Sequence, residues 1–256
     1  MKEQLKIGIV GSGNVAFQLT NALISCGIQP YLCFARNPIS GNEFSQTFGI
    51  TLVPSIHALQ GLDLIITCVS DDALEDLLPV LSELCPVVST SGTVDVLSMK
   101  HHHALGVFYP LQSFTKNKTV DFSKVPIFLE ASTAAFNETL SEMAHKLSQT
   151  VVQMDATQRK KLHIAAVFIN NFTNHLLDLM QTYTNEQGID FKWLQPLLDE
   201  TIRKAIEGKA FTMQTGPAKR NDQATIQAHE AQLEEPLLSI YRTMTTSIQQ
   251  RFQTND

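Results

Sequence analysis

Residues 5–27 read LKIGIVGSGNVAFQLTNALISCG, and residues 31–37, YLCFARN, follow close behind. Leu5 to Val10 is an apolar strand that stops on Gly11. Gly13 and Ala16 continue at the G-x-G-x-x-A spacing, and a helix of apolar period starts there. Gly11 permits the tight turn out of the strand. Gly13 lacks a Cβ, so its backbone can approach a pyrophosphate, and Ala16 is small enough for the helix to pack against the strand. Unpaired N–H groups at the positive end of the helix then face the phosphates. An NAD site usually carries Asp or Glu about 20 residues further on, bonded to the ribose 2′-hydroxyl. Here the second strand, Tyr31 to Phe34, ends in Ala35, Arg36 and Asn37, and no acidic residue stands between Glu3 and Glu43. An arginine at that place suits a 2′-phosphate through a bidentate, charge-assisted contact. The expectation is NADP(H). The competing reading is a Rossmann fold that no longer holds a nucleotide.

Further along, apolar strands alternate with helical stretches. LDLIITCVS (62–70) is a strand and DDALEDLLPVLSEL (71–84) a helix. PVVSTSGT, ALGVFYP, VPIFLEA and TVVQM add strands, and TAAFNETLSEMAHKLS another helix. This order predicts an α/β fold with a doubly wound, mostly parallel sheet, and we place its end at Met154. From Asp155 the pattern is helical throughout. One long helix is expected over 155–188, capped by Asp155 and Gly188, and a second over 189–208 with Pro196 marking a kink or break. The domains expected are therefore 1–154, nucleotide-binding, and 155–256, all-α.

The bulk figures are consistent with this. The chain has 256 residues, 43% hydrophobic and 17% charged, with a net charge of −6. The negative charge argues against nucleic acid as the main partner. No apolar run of about 18 residues is present, so no membrane span is expected, and the early strand leaves no room for a signal peptide. Cys26, Cys33, Cys68 and Cys85 lie in apolar stretches without C-x-x-C spacing, which suits buried free thiols in a reducing cytoplasm. His101–His103 cannot all face one ion on a regular element, so no metal site is expected.

Ligands of a doubly wound sheet bind at the carboxyl ends of its strands. Val69 and Ser70, with Asp71 and Asp72 behind them as helix-capping candidates, form one such polar loop. Ser89 to Thr93, with Ser91 at its centre, forms another beside the expected nicotinamide. In the long helix, His163, Asn170 and Asn174 fall within about 40° of one another at 100° per residue. They either bond neighbouring helices or line a wet pocket, and His163 is the group there that titrates near neutral pH. In the loop 216–222, Arg220 either holds an anionic substrate group or pairs with Asp222. His229 suits a surface role.

The residues GSGNVA, ARN, TCVSDDAL, STSGT, FYPLQSF, HIAAVFINN and GPAKRND resemble the Rossmann-like NADP oxidoreductases that carry a C-terminal helical domain of unknown function. That family is related to pyrroline-5-carboxylate reductase, the deazaflavin-dependent NADP oxidoreductases and the 6-phosphogluconate and 3-hydroxyisobutyrate dehydrogenases. The resemblance implies a C-terminal domain of the 6-phosphogluconate dehydrogenase type. It implies NADP(H) held by Gly11, Ser12, Gly13, Asn14, Val15, Ala16 and Arg36, with Asn37, Val69, Ser70 and Ser91 beside them. It also implies a substrate cleft between the domains and a homodimer built through the helical domain. One departure stands out. The 3-hydroxyacid relatives place a catalytic lysine four residues before an asparagine, whereas Ala166 and Val167 precede Asn170 and Asn171 here. The expected activity is an NADP(H)-dependent oxidoreductase moving a hydride to or from a small carbonyl, imine or flavin-like molecule. In it His163 is the acid/base, Asn170 or Asn171 positions the substrate, and Arg220 holds an anionic group. The alternative is an NADP(H)-binding sensor or scaffold without catalysis.

Overall fold

The computed structural model describes residues 5–208 and 210–253. The first strand, β1 (Ile7–Val10), is buried along its whole length. It leads into α1 (Asn14–Ser25), whose inward face carries Ala16, Leu19 and Leu23, all fully buried. There follow β2 (Leu32–Phe34), α2 (Pro38–Phe48), β3 (Thr51–Leu52), β4 (Leu64–Thr67), α3 (Asp71–Leu81), β5 (Val87–Ser89), β6 (Leu105–Pro110), β7 (Ile127–Ala131), α4 (Ala134–Leu147) and β8 (Val151–Gln153). They build an eight-stranded sheet in the order β3-β2-β1-β4-β5-β6-β7-β8. β1 to β6 run parallel. β7 is antiparallel to β6, and β8 parallel to β7. The α/β, mostly parallel architecture expected from the sequence is the one present.

Each face of the sheet is covered by its own apolar layer. One contains Ile7, Ile9, Leu19, Leu23, Phe44, Phe108 and Leu140, and the other Ile65, Leu74, Leu78, Leu81, Val87 and Val107. The strands are apolar on both faces because helices cover both, as in buried parallel sheets. The register places Phe34, Val10, Thr67, Ser89 and Val107 in one row across β2, β1, β4, β5 and β6. Immediately past that row the loops after β2, β1, β4 and β5 leave the same edge of the sheet.

The chain divides into two compact units, Met1–Asn170 and Asn171–Asp256. The sheet ends at β8, where the sequence suggested a boundary, but α5 (Ala156–Ala166) still belongs with the first unit. Asp155 caps α5 as expected, accepting from Gln158 N at 2.8 Å. Arg159 explains why α5 stays with the sheet. Its side chain is fully buried, and it donates to Glu130 on β7 at 2.6 Å and to the Val94 carbonyl at 2.9 Å.

The single long helix expected over 155–188 is divided. After α5 the residues Val167–Phe172 form a π-helical segment, and α6 (Thr173–Glu186) follows. Each π residue turns through less than 100° because the bonds reach one residue further. The alignment of His163, Asn170 and Asn174 that a regular helix draws is therefore interrupted. The second unit continues with α7 (Gln195–Glu207), α8 (Ala210–Met213), α9 (Gln223–Glu230) and α10 (Leu237–Gln253). Pro196 sits in the first turn of α7 and starts that helix instead of kinking it, since proline's missing N–H costs nothing there.

Candidate functional site

Gly11 has φ +113°, and a Cβ on it would stand 2.3 Å from the Cys68 carbonyl oxygen. Only glycine can turn the chain out of β1 at this place. Its N–H donates to the Phe34 carbonyl at 2.8 Å, which ties the turn to the end of β2. Gly13 begins α1, and a Cβ built on it meets nothing within 4 Å. The space in front of it is open, which is the cradle that a close-approaching ligand needs. No side chain caps α1 and no acidic residue stands in its first turn. The N–H groups of Asn14, Val15 and Ala16 thus open a 12-residue helix at its positive end.

Beside this turn lies a cleft of about 490 Å³, lined by Gly11, Ser12, Arg36, Asn37, Ser40, Val69 and Ser70 among others. Six of the eleven residues expected to bind the cofactor therefore face one space, and Gly13 to Ala16 open the adjoining helix. Arg36 is exposed and is held by no ion pair among the described residues. Asn37 accepts from Ile39 N at 2.9 Å and caps α2, so its carbonyl oxygen is engaged while Pro38 starts the helix. Ser40 was not singled out in the sequence. Its hydroxyl lies 2.8 Å from that of Ser12, across the cleft from the phosphate turn. A signal for it exists, namely a hydroxyl in the first turn of the helix after the Arg36 strand end. Ser12, Arg36, Asn37 and Ser40 together supply a cation, two hydroxyls and an amide, which suit a phosphate on a ribose.

Ser91 has a different occupation. Its hydroxyl donates to Asp71 Oδ1 at 2.7 Å and accepts from Val94 N at 3.1 Å, and Thr93 donates to the other Asp71 oxygen. The capping position of α3 is held by Ser70, so neither Asp71 nor Asp72 is the cap that the sequence suggested. Asp71 instead binds the loop after β5 to the start of α3.

His163, on α5, is half-buried with its Nδ1 3.3 Å from the Tyr109 hydroxyl. Tyr109 stands next to last on β6, at the carboxyl edge of the parallel strands. Burial raises its hydroxyl above the usual phenol range, Arg159 opposes this and Asp71 adds to it. The sequence places Tyr109 at a strand end, within FYPLQSF, but gives it no role, although a strand-terminal tyrosine on a doubly wound sheet is a usable signal. Asn170 and Asn171 are both exposed within the π segment. Arg220 is exposed in the second unit and forms no ion pair with Asp222, which caps α9 through Thr225 N at 3.1 Å. Bonding from Thr225 chiefly holds the Asp222 carboxyl below its ordinary range, with Arg220 and His229 assisting. His229 is exposed, yet its Nδ1 is 3.0 Å from the Tyr241 hydroxyl, and it lines an apolar cavity of about 440 Å³ inside the second unit. Burial pushes the thiols of Cys33 and Cys85 up to about 11 and that of Cys68 to about 12. Cys26, expected to be buried as well, is exposed.

Comparison with known proteins bears on the family and the fold. The family model for NADP oxidoreductase, coenzyme F420-dependent, matches residues 6–99, and a domain of unknown function, DUF2520, matches residues 125–248. The crystal structure of a "putative NADP oxidoreductase" from Bacteroides fragilis is 33% identical, with a TM-score of 0.89 over 97% of this chain and 99% of that one. The chain belongs to this NADP oxidoreductase family. Two more distant structures share the fold of the NADP oxidoreductase chain. One is a protein from Thermotoga maritima (15% identity, TM-score 0.67, 97% and 99% coverage), the other an imine reductase from Myxococcus stipitatus in complex with NADP+ (15%, 0.63, 97% and 94%). No curated protein matches the chain.

Proposed function

We propose that the protein is an NADP(H)-dependent oxidoreductase whose nucleotide lies on the Gly11–Ala16 turn with its 2′-phosphate at Arg36. One observation carries the reading: an exposed arginine without an ion-pair partner among the described residues shares a cleft with Gly11, Ser12 and Ser40. The nicotinamide supplies a hydride when bound. Gly13 and the first N–H groups of α1 hold the pyrophosphate, and Val69 and Ser70 border the path toward the carboxyl ends of β4 and β5. His163 supplies the proton of the reaction, directly or through a neighbouring hydroxyl, Asn170 or Asn171 serves as a substrate-positioning amide, and Arg220 as a holder of anionic groups. A homodimer through the helical unit accords with the apolar side chains exposed along Trp193, Leu197, Ile202 and Ile206. The family membership favours catalysis over a sensor or scaffold role. NADPH oxidation followed across a panel of small carbonyls, imines and flavins tests it. Turnover with one class, lost in His163→Ala, is expected. A chain that binds NADPH but oxidises it with no member of the panel is a sensor instead.

A further inference from the structure

We propose that Tyr109 is the catalytic acid of the site, with His163 behind it as the group that returns its proton, and that the substrate is a neutral carbonyl compound, an aldehyde or ketone. The proposal rests on the NADP(H) reading above.

Three observations carry it. First, the Tyr109 hydroxyl stands at the carboxyl edge of β6, where ligands of this sheet bind. Its ring lies against the loop after β5, so close that a Cβ on Gly92 would come within 2.6 Å of the ring. Secondly, the hydroxyl is within 3.3 Å of His163 Nδ1, a reach that tightens when a substrate is in place. His163 is one turn beyond Arg159 on α5, and Arg159 is locked against β7 and the loop after β5. The dyad therefore sits between two fixed elements. Thirdly, the charges facing the dyad suit an oxyanion better than a cation. Asp71 of α3 is engaged by the hydroxyls of Ser91 and Thr93, and Glu130 of β7 by Arg159. Hydrogen bonds leave the Asp71 carboxylate charged, but the buried Arg159 acts on the Tyr109 hydroxyl more strongly than Asp71 does. Its Nε has no hydrogen-bond partner among the described residues. An iminium would want the carboxylate to outweigh the cation here. A carbonyl oxygen gaining charge wants a proton donor and a nearby cation.

The protons balance as follows. The hydride that NADPH would supply forms the new C–H bond at the carbonyl carbon, the nucleotide leaving as NADP+, and the π pair of C=O moves to oxygen. Tyr109 Oη releases its proton to that oxygen and becomes a phenolate. His163 Nδ1–H reprotonates it, and Nε2 takes up one proton from solvent. A phenol holds its proton through the neutral range, as a donor must, and burial strengthens that hold at Tyr109.

Tyr109→Phe and His163→Gln, compared with the wild type, test this. In Tyr109→Phe we expect unchanged NADPH affinity in calorimetry and a loss of about 10²- to 10⁴-fold in kcat on aldehydes and ketones. A readout without turnover is the ¹⁵N titration of the His163 ring in the nucleotide-free protein, which should shift when the Tyr109 hydroxyl is removed. His163→Gln should lower kcat less than Tyr109→Phe does. Wild-type kcat in Tyr109→Phe, an unmoved His163 titration, or reduction of imines with no carbonyl reduced each overturns the proposal. Failure of the wild type to bind NADPH overturns the nucleotide reading instead, and the titration separates the two.

Discussion

Gly11 shows how one residue links sequence to site. Its positive φ and the 2.3 Å approach to the Cys68 carbonyl leave no room for a methyl group. Strained backbone of this kind costs about 1–3 kcal/mol on its own, and the clash adds to it. Gly11→Ala should therefore lower stability by more than about 3 kcal/mol, seen as a lower urea midpoint with an unchanged slope. A midpoint equal to that of the wild type would show that the turn relaxes freely. The turn at Gly11 and Gly13 and the strand-end position of Arg36 were legible because local backbone geometry and the strand pattern fix them. For Ser40 and Tyr109 only the position was legible and not the contact, since each meets a partner distant in the chain: Ser12 lies 28 residues from Ser40, and His163 54 from Tyr109. Asp71 was read as a cap because helix starts favour aspartate, but hydroxyls on the next loop compete for its oxygens.

At the scale of elements, the strands and the first helices were readable from their period, whereas the long helix was not. A π segment leaves the apolar pattern of VFINNF unchanged while altering its turn, so Asn170 and Asn171 cannot be assigned to a face by counting. The attachment of α5 to the sheet was equally hidden. Arg159 looks like one more charge in QRKK, yet it is the largest fully buried side chain of the described residues. An ion pair that leaves a buried partner when broken costs about 3–5 kcal/mol. Glu130 keeps 18% of its side chain exposed, so water softens the loss on its side. Arg159→Met should destabilise the first unit by about 3 kcal/mol, and adding Glu130→Leu should restore part of it. Urea unfolding of both variants checks this, and a double variant no better than the single one would contradict a pairing role for Glu130.

For the whole molecule, the change of pattern after Met154 announced a helical second part, and the sheet does end there. The compact units nevertheless divide at Asn170, because burial of Arg159 outweighs the change in periodicity. The first unit has a two-sided apolar core that any doubly wound sheet requires. The second holds an apolar cavity lined by His229 and Tyr241, which no periodicity in the sequence announces, because α6, α9 and α10 meet there only in the fold. The central claim joins the Gly11 turn to Arg36. Calorimetric titration of the purified chain with NADPH and with NADH tests it most directly. A charged hydrogen-bonded contact to the 2′-phosphate contributes about 1.5–3 kcal/mol, so NADPH should bind about 10- to 100-fold more tightly, and Arg36→Ser should remove most of that margin. Equal affinity for the two nucleotides, or no heat from either, would contradict the account.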